Sequence, residues 1–166
     1  MRASNVVLIG MPASGKSTVG VVLAKFLGYD FIDTDLLIQR QEGARLEDII
    51  QTRGVEGFLQ IESAVCCALD VTHTVVATGG SAVYGEEAMR HLKELGRVVY
   101  LRVDIDALAS RISDMRQRGV ALKDGQSLAD LLEERSVLYE RYADITVDEG
   151  NQSLEGTVSA LVKLLS

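Results

Sequence analysis

Residues 5–18, with the sequence NVVLIGMPASGKST, decide the fold of this 166-residue chain. A short apolar run ends at Gly10, and the pattern G-x-x-x-x-G-K-S then extends from Gly10 to Ser17. Glycines permit the tight turn that aims successive backbone N–H groups at an anion, and a helix starting here adds the positive end of its dipole. The stretch therefore predicts a phosphate-binding loop between a buried strand and a helix.

Side chains in this loop suggest a division of roles around a nucleotide triphosphate. Lys16 is predicted to contact the β- and γ-phosphates, and the Ser17 hydroxyl is predicted to bind Mg²⁺. The apolar spacing of residues 19, 22, 23 and 26 predicts a helix over 16–27 that ends at Gly28. The residues expected to surround the phosphates are Gly10, Ala13, Ser14, Gly15, Lys16, Ser17 and Thr18.

The rest of the chain alternates short β-branched runs with helical patterns, without a linker or a repeat. Strands are predicted at 5–9, 29–33, 74–78, 97–103 and 145–147. Helices are predicted at 16–27, 36–41, 46–52, 55–69, 86–95, 105–115 and 128–141, with a closing helix over 154–165. Strands that lack polar alternation and are separated by helices indicate an α/β domain with a parallel sheet covered on both faces. We expect one domain over 1–166, with its chemistry after the first three strands.

The overall composition excludes several classes of protein. Apolar residues make up 47% and charged residues 25%, which is ordinary for a globular domain. The net charge of −7 disfavours a nucleic-acid-binding protein, and no apolar run reaches the length of a membrane span. Cys66 and Cys67 are adjacent, which excludes a disulfide framework, and we expect both on a buried helix face. The N-terminal residues carry no signal-peptide pattern. These features predict a cytoplasmic protein, which we expect to be a monomer.

Two further motifs follow the second and third strands. In Asp33-Thr34-Asp35, one carboxylate can hold Mg²⁺ through water while the other orients or deprotonates an acceptor hydroxyl. The alternative is that Asp35 caps the next helix. Thr78-Gly79-Gly80-Ser81 allows a close backbone approach to a ligand, but an ordinary turn is an equally good interpretation.

Three arginines, Arg111, Arg116 and Arg118, flank a polar loop at 116–126. An arginine-bearing loop over a phosphate site is typical of a lid that excludes water and stabilises transferring charge. The alternative is an ordinary solvent-exposed loop. Arg135, in the sequence Glu-Glu-Arg, reads as exposed charge on this evidence alone.

With these motifs in place, the sequence resembles the shikimate kinase family of the nucleoside monophosphate kinase-like group, from Val6 to the last helix. The resemblance implies a three-layer α/β/α P-loop kinase fold with a five-stranded parallel sheet in the order 2-3-1-4-5. It implies acceptor-binding helices at about 34–70 and a lid at about 112–127. It also implies Mg²⁺-dependent transfer of the γ-phosphoryl group of ATP to the 3-hydroxyl of shikimate.

The resemblance further implies a role for individual residues. The catalytic residues that it implies are Lys16, Asp35 and Arg118. The magnesium ligands are Ser17 and, through water, Asp33. The acceptor contacts are Asp35, Gly79, Gly80, Ser81 and Arg135. Besides the phosphate loop, the ATP contacts are Arg111, which stacks on adenine, and the lid residue Arg118, with residues 148–156 over the adenine.

The sequence departs from the family pattern at Leu59, Ser81, Gly119 and Ala13. Leu59 replaces an arginine that grips the shikimate carboxylate, and leucine cannot form charge-assisted hydrogen bonds. Such a bond contributes roughly 1.5–3 kcal/mol, or about 10- to 100-fold in affinity. The family resemblance makes shikimate the first candidate acceptor. The loss of this arginine makes homoserine or another small hydroxy acid the alternative. A nucleotide-dependent switch is a third hypothesis, although the chain lacks N-K-x-D and a post-strand D-x-x-G motif.

Overall fold

The computed structural model describes residues 4–112, 119–150 and 152–166. Five strands form one parallel sheet in the order β2-β3-β1-β4-β5, which confirms the predicted topology. The strands are β1 (Asn5–Ile9), β2 (Asp30–Asp33), β3 (Thr74–Ala77), β4 (Gly96–Arg102) and β5 (Ile145–Asp148). The predicted lid arginines Arg116 and Arg118 lie outside the described residues.

Helices cover both faces of the sheet. They are α1 (Lys16–Leu27), α2 (Thr34–Glu42), α3 (Leu46–Cys67), α4 (Glu86–Leu95), α5 (Ile105–Arg111), α6 (Leu128–Tyr142) and α7 (Leu154–Leu165), with a 3₁₀ turn at Ala82–Tyr84. Among the described residues, none of these helices has both the length and the apolar character needed to cross a bilayer.

Alternate residues of β1 face opposite sides of the sheet, and each side has its own core. Leu8 packs with residues of α1 and α7, whereas Val7 packs with residues of α4 and α6. Both side chains are fully buried, as expected for a central strand of a parallel sheet. Helices α2 and α3 enclose a third apolar cluster that includes Ile38 and Phe58. The result is the expected α/β/α arrangement, with α2 and α3 set beside it.

The structure confirms the predicted helix break at Gly54 and corrects the prediction for the two cysteines. The helices predicted at 46–52 and 55–69 lie within α3, where Gly54 has a non-helical backbone (φ 72°, ψ 173°) that separates two helical segments, as predicted. The described part of α5 ends at Arg111, where Ile112 takes an extended backbone conformation, and the predicted continuation over 113–115 lies outside the described residues. Of the two cysteines expected on a buried face, Cys66 is buried and Cys67 is exposed, since neighbours on a helix point in different directions.

Candidate active site

The phosphate loop connects β1 to α1 through backbone angles that few residues adopt. Gly10 and Gly15 have φ values of 149° and 89°, and Ala13 also lies in the left-handed region at 61°. A Cβ built on Gly10 would lie 2.7 Å from the backbone oxygen of Leu101, so the loop is seated directly against β4. The loop thus has the predicted form, with the N-terminus of α1 at its end.

Lys16 is buried inside the phosphate loop. Its ammonium group donates hydrogen bonds to the carbonyl oxygens of Gly10 and Met11, at 2.8 and 2.7 Å, and to Ser14 Oγ at 3.3 Å. Burial lowers the pKa of Lys16 to about 8. The ammonium group is therefore already positioned at the loop, where it is able to exchange carbonyl partners for phosphate oxygens.

Asp33 connects the phosphate loop to α2. Its Oδ2 accepts a hydrogen bond of 2.6 Å from Ser17 Oγ, and its Oδ1 accepts bonds from the backbone N–H groups of Asp35 and Leu36. Asp33 is therefore the N-cap of α2, and the alternative that Asp35 caps this helix is wrong. The adjacent hydroxyl and carboxylate oxygens of Ser17 and Asp33 are the hard donors that Mg²⁺ prefers. These two side chains fit the predicted metal site.

Because Asp33 caps α2, the Asp35 side chain is not needed for capping. Asp35 lines a cavity of about 290 Å³ beside the phosphate loop. Burial is the main cause that raises the pKa of Asp35 to about 6, and the Asp33 carboxylate adds to the shift while Lys16 opposes it. The carboxyl group is ionised at neutral pH and able to accept a proton. The lining is mostly polar and small: Pro12, Ala13, Gly15, Lys16, Ser17, Thr18, Asp35, Phe58, Glu62, Thr78, Gly79, Gly80, Ser81, Gly119, Val120, Ala121 and Arg135.

The turn after β3 forms one wall of the cavity and is more than an ordinary strand-to-helix connection. A Cβ on Gly79 would overlap with Glu62 Oε2 and Asp35 Oδ1. Ser81, which stands at the family's third glycine, donates a hydrogen bond of 2.5 Å to Glu62 Oε1. Gly79 is thus required so that two carboxyl groups can approach the backbone.

Sequence reasoning missed Glu62, which lines the cavity and is 1% exposed. Its Oε2 has no hydrogen-bond partner among the residues that the structure describes. Burial is the main cause that raises the pKa of Glu62 to about 7, although the Ser81 hydrogen bond opposes the shift. A signal was present in the sequence, because Glu62 falls four residues after Phe58 and four before Cys66, on the buried face of α3.

Arg135 is also a cavity residue rather than exposed charge, since it is 1% exposed. Its Nη2 donates to the carbonyl oxygen of Ala121 at 3.0 Å, and its guanidinium carbon lies 5.3 Å from the centre of the Tyr84 ring. A Cβ on Gly80 would lie 3.0 Å from Arg135 Nη1. The guanidinium group is therefore fixed beside the Gly79-Gly80 turn, where it is able to receive a carboxylate.

Arg111 lies on the other side of the phosphate loop, and it is not among the residues that line the cavity. Its Nη1 donates to the carbonyl oxygen of Ala13 at 3.2 Å and lies 3.7 Å from Glu149 Oε2. Glu149 is buried against Gly15, and this burial raises its pKa. The end of α5 is thus tied to the loop, and stacking of Arg111 on adenine stays a prediction.

Leu59 is half-buried and packs with the apolar cluster of α2 and α3, while its neighbour Phe58 lines the cavity. Leu59 lies three residues before Glu62 on α3, a spacing that places two side chains on neighbouring helix turns. The position is therefore close to the cavity, but the leucine side chain turns towards other apolar groups.

A parallel sheet with the phosphate loop on its central strand, beside a cavity that holds an acid and a guanidinium group, is the architecture of a P-loop kinase. Kinases of this kind are ATP-dependent phosphotransferases. The family model described as shikimate kinase matches residues 12–166. The chain belongs to the shikimate kinase family.

Named relatives agree along nearly the whole chain. The chain is 36% identical to the shikimate kinase of Thiobacillus denitrificans, covering 96% of this chain and 89% of that protein. It is 37% identical to a shikimate kinase of Vibrio cholerae, covering 97% and 94%. Among solved structures, the shikimate kinase from Acinetobacter baumannii in complex with shikimate has a TM-score of 0.91 at 31% identity, covering 98% of this chain and 93% of that one.

Proposed function

We propose that this protein transfers the γ-phosphoryl group of ATP to a hydroxyl group of shikimate, giving shikimate 3-phosphate. The observation that carries the proposal is the convergence of Lys16, Asp35 and Arg135 on one cavity. These groups would bind the phosphates, the reacting hydroxyl and the acceptor's carboxylate, respectively. Family membership supports shikimate as the first acceptor to test.

The phosphate loop binds ATP, the phosphoryl donor. Its backbone N–H groups and Lys16 hold the β- and γ-phosphates, while the end of α1 adds a favourable dipole. Ser17 and Asp33 would hold Mg²⁺, which supplies positive charge against the phosphate oxygens. Arg118 of the predicted lid is proposed to neutralise charge on the transferring group.

Asp35 positions and deprotonates the acceptor hydroxyl. It accepts a hydrogen bond from the acceptor hydroxyl and takes the proton as the hydroxyl oxygen attacks the γ-phosphorus. The new oxygen–phosphorus bond forms in line with the bond to ADP, which breaks. Because Asp35 is buried beside the loop, it holds the hydroxyl in position while the surrounding protein limits attack by water.

A second candidate acceptor is a small hydroxy amino acid such as homoserine. The observation in its favour is Leu59, which leaves Arg135 as the guanidinium group lining the described cavity. Gly79, Gly80 and Ser81 would contact either acceptor through the turn after β3. Homoserine keeps the carboxylate that Arg135 would bind and a hydroxyl for Asp35.

A steady-state assay with ATP, Mg²⁺ and a panel containing shikimate and homoserine tests the proposal. We expect acceptor-dependent ADP release and a phosphorylated product, and we expect Lys16→Ala to abolish both while the fold survives by circular dichroism. Replacement of the exposed Lys25 on the same helix by Ala is the matched control. ATP hydrolysis that is slow and indifferent to every acceptor would instead indicate a nucleotide-dependent switch.

A further inference from the structure

The buried guanidinium group of Arg135 has hydrogen-bond partners in the protein on two of its nitrogens. Nε donates to the hydroxyl oxygen of Tyr84 at 3.3 Å, and Nη2 donates to the carbonyl oxygen of Ala121 at 3.0 Å. The remaining nitrogen, Nη1, donates to none of the described residues and lies at the cavity wall beside Gly80. An arginine held in this way presents a fixed donor to a ligand, and a carboxylate suits that donor best.

Tyr84 connects Arg135 to the carboxylate of Glu134, the preceding residue of α6. Adjacent residues of a helix point in different directions, so these two side chains do not face each other. The Tyr84 hydroxyl bridges them, because it accepts from Arg135 Nε and donates to Glu134 Oε1 at 2.6 Å. The bond from Tyr84 lowers the pKa of Glu134 below its ordinary value of 4.5, so Glu134 is ionised at neutral pH. A charged acceptor fixes the direction of the hydroxyl proton and leaves an oxygen lone pair for the arginine.

Both partners in this bridge are themselves fixed. Tyr84 is the last residue of the 3₁₀ turn at Ala82–Tyr84, and its backbone N–H donates to the carbonyl oxygen of Ser81 at 3.1 Å. Its ring lies 5.3 Å from the guanidinium carbon, within the range of a cation–π interaction. The second oxygen of Glu134 accepts a hydrogen bond of 3.0 Å from Gln126 Nε2. The bridge therefore ties the arginine to two separate parts of the fold.

Leu59 increases the importance of this arrangement. Among the described residues that line the cavity, Arg135 carries the only guanidinium group, while Leu59 packs with apolar side chains. A flexible arginine loses side-chain entropy when it binds a carboxylate. Contacts that fix the guanidinium group before the acceptor arrives reduce this cost.

We propose that Tyr84 and Glu134 are positioning residues that hold Arg135 in the orientation that binds the carboxylate of shikimate. The inference deepens the proposed function and rests on it, because Arg135 must be the contact of the acceptor's carboxylate. Neither Tyr84 nor Glu134 is among the residues that line the cavity, so the phosphoryl transfer itself is unchanged. Loss of the bridge should weaken the binding of the carboxylate and leave the chemical step nearly intact.

Tyr84→Phe removes the bridging hydroxyl and keeps the ring. Shikimate and its carboxamide provide the test, since they are similar in size and differ in the charge of the group that Arg135 would bind. In the unmodified protein we expect kcat/KM for shikimate to exceed that for the carboxamide by about 10- to 100-fold. In Tyr84→Phe this ratio should fall by about 3- to 10-fold, through a higher KM for shikimate at nearly constant kcat. Tyr142→Phe, which removes a hydroxyl at the end of the same helix, should leave the ratio unchanged.

Variants of Glu134 test the other end of the bridge. Glu134→Ala should lower the ratio as Tyr84→Phe does, and the double variant should lose no more than the larger single loss, because the two residues act through one chain of hydrogen bonds. Glu134→Gln keeps an oxygen acceptor for the Tyr84 hydroxyl and should retain most of the ratio. Glu133→Ala, at an exposed neighbouring position, is the matched control. Thermal unfolding of each variant shows whether the fold is retained, and Tyr84→Phe decides the matter if Glu134→Ala fails to fold.

The outcomes separate the inference from the proposed function. An unaltered ratio in Tyr84→Phe, or an equal loss for shikimate and the carboxamide, overturns the inference and leaves the kinase assignment in place. If the unmodified protein binds ATP but does not phosphorylate shikimate, the proposed function fails and the inference fails with it.

Discussion

Three ionisable side chains around the cavity have pKa values shifted towards neutrality. The pKa of Lys16 is lowered to about 8, while those of Asp35 and Glu62 are raised to about 6 and about 7. Burial is the largest cause in each case, because a low-dielectric environment disfavours the charged form. The charge of the site therefore changes within the pH range in which the protein would be assayed.

The titration of Asp35 should lower the activity of the enzyme at acidic pH. Its raised pKa means that the carboxylate, the form that accepts the hydroxyl proton, is lost as pH falls through about 6. We expect kcat/KM for the acceptor to fall about tenfold per pH unit well below pH 6, measured between pH 5 and 8. The limb should persist in Glu62→Gln, which removes the neighbouring carboxyl group, and a profile flat down to pH 5 would contradict the role of Asp35.

At the scale of single elements, local sequence patterns predicted several helix and strand bounds. Features that depend on the tertiary structure were not predicted. β1, α1 and α4 have the predicted bounds, because their apolar spacing and bounding glycines are local signals. Asp35 was the alternative cap of α2, but the capping residue is Asp33, two residues earlier in the chain. A capping residue depends on where the backbone changes conformation, which two nearby aspartates leave ambiguous.

The acceptor side of the cavity was less accessible to sequence reasoning than the phosphate loop. Glu62 and Arg135 come from α3 and α6, far apart in the chain, and each looks like an ordinary helix charge. The tertiary fold buries both beside the Gly79-Gly80 turn. The resemblance to a known family supplied Arg135, whereas a search of the buried face of α3 would have supplied Glu62.

The turn after β3 should be intolerant of even one additional carbon. Gly79→Ala places a Cβ against Glu62 Oε2 and Asp35 Oδ1, so Asp35 must move from the acceptor hydroxyl. We expect kcat/KM to fall by about 100-fold or more, since small displacements of positioned groups have effects of this order. In α7, Gly156→Ala meets only ordinary contacts and is the matched control. Near-normal activity of Gly79→Ala would show that the turn is not rigid.

For the whole molecule, the parallel sheet brings the site together. Loops after β1, β2 and β3 meet at the same edge because neighbouring strands run in one direction. The strand pattern and connection handedness were therefore enough to predict that the phosphate loop, Asp33, Asp35 and Gly79 lie near one another. The cavity's opposite wall depends on how helices pack, and that information is not local.

Global stability should report the burial of Glu62. Its folded-state pKa of about 7 lies above the ordinary value of 4.5, so the folded protein binds the proton more tightly. Stability therefore falls as pH rises from about 4.5 to 7, and the full cost remains above pH 7. Glu62→Gln should raise the unfolding free energy by about 2 kcal/mol at pH 8 and much less at pH 5.

Urea unfolding at the two pH values measures this difference, with Glu56→Gln as the exposed control on α3. Equal unfolding free energies for Glu62→Gln and the unmodified protein at pH 8 would mean that the Glu62 carboxylate carries no burial cost.

Asp33 uses one carboxyl oxygen for Ser17 and the other for the start of α2. Any partner that draws Ser17 away from Oδ2 alters the same carboxyl group that anchors the helix bearing Asp35. We therefore expect nucleotide binding at the phosphate loop to affect the acceptor site through the Asp33 side chain. Such thermodynamic linkage is reciprocal, so each substrate should change the affinity for the other by an equal factor.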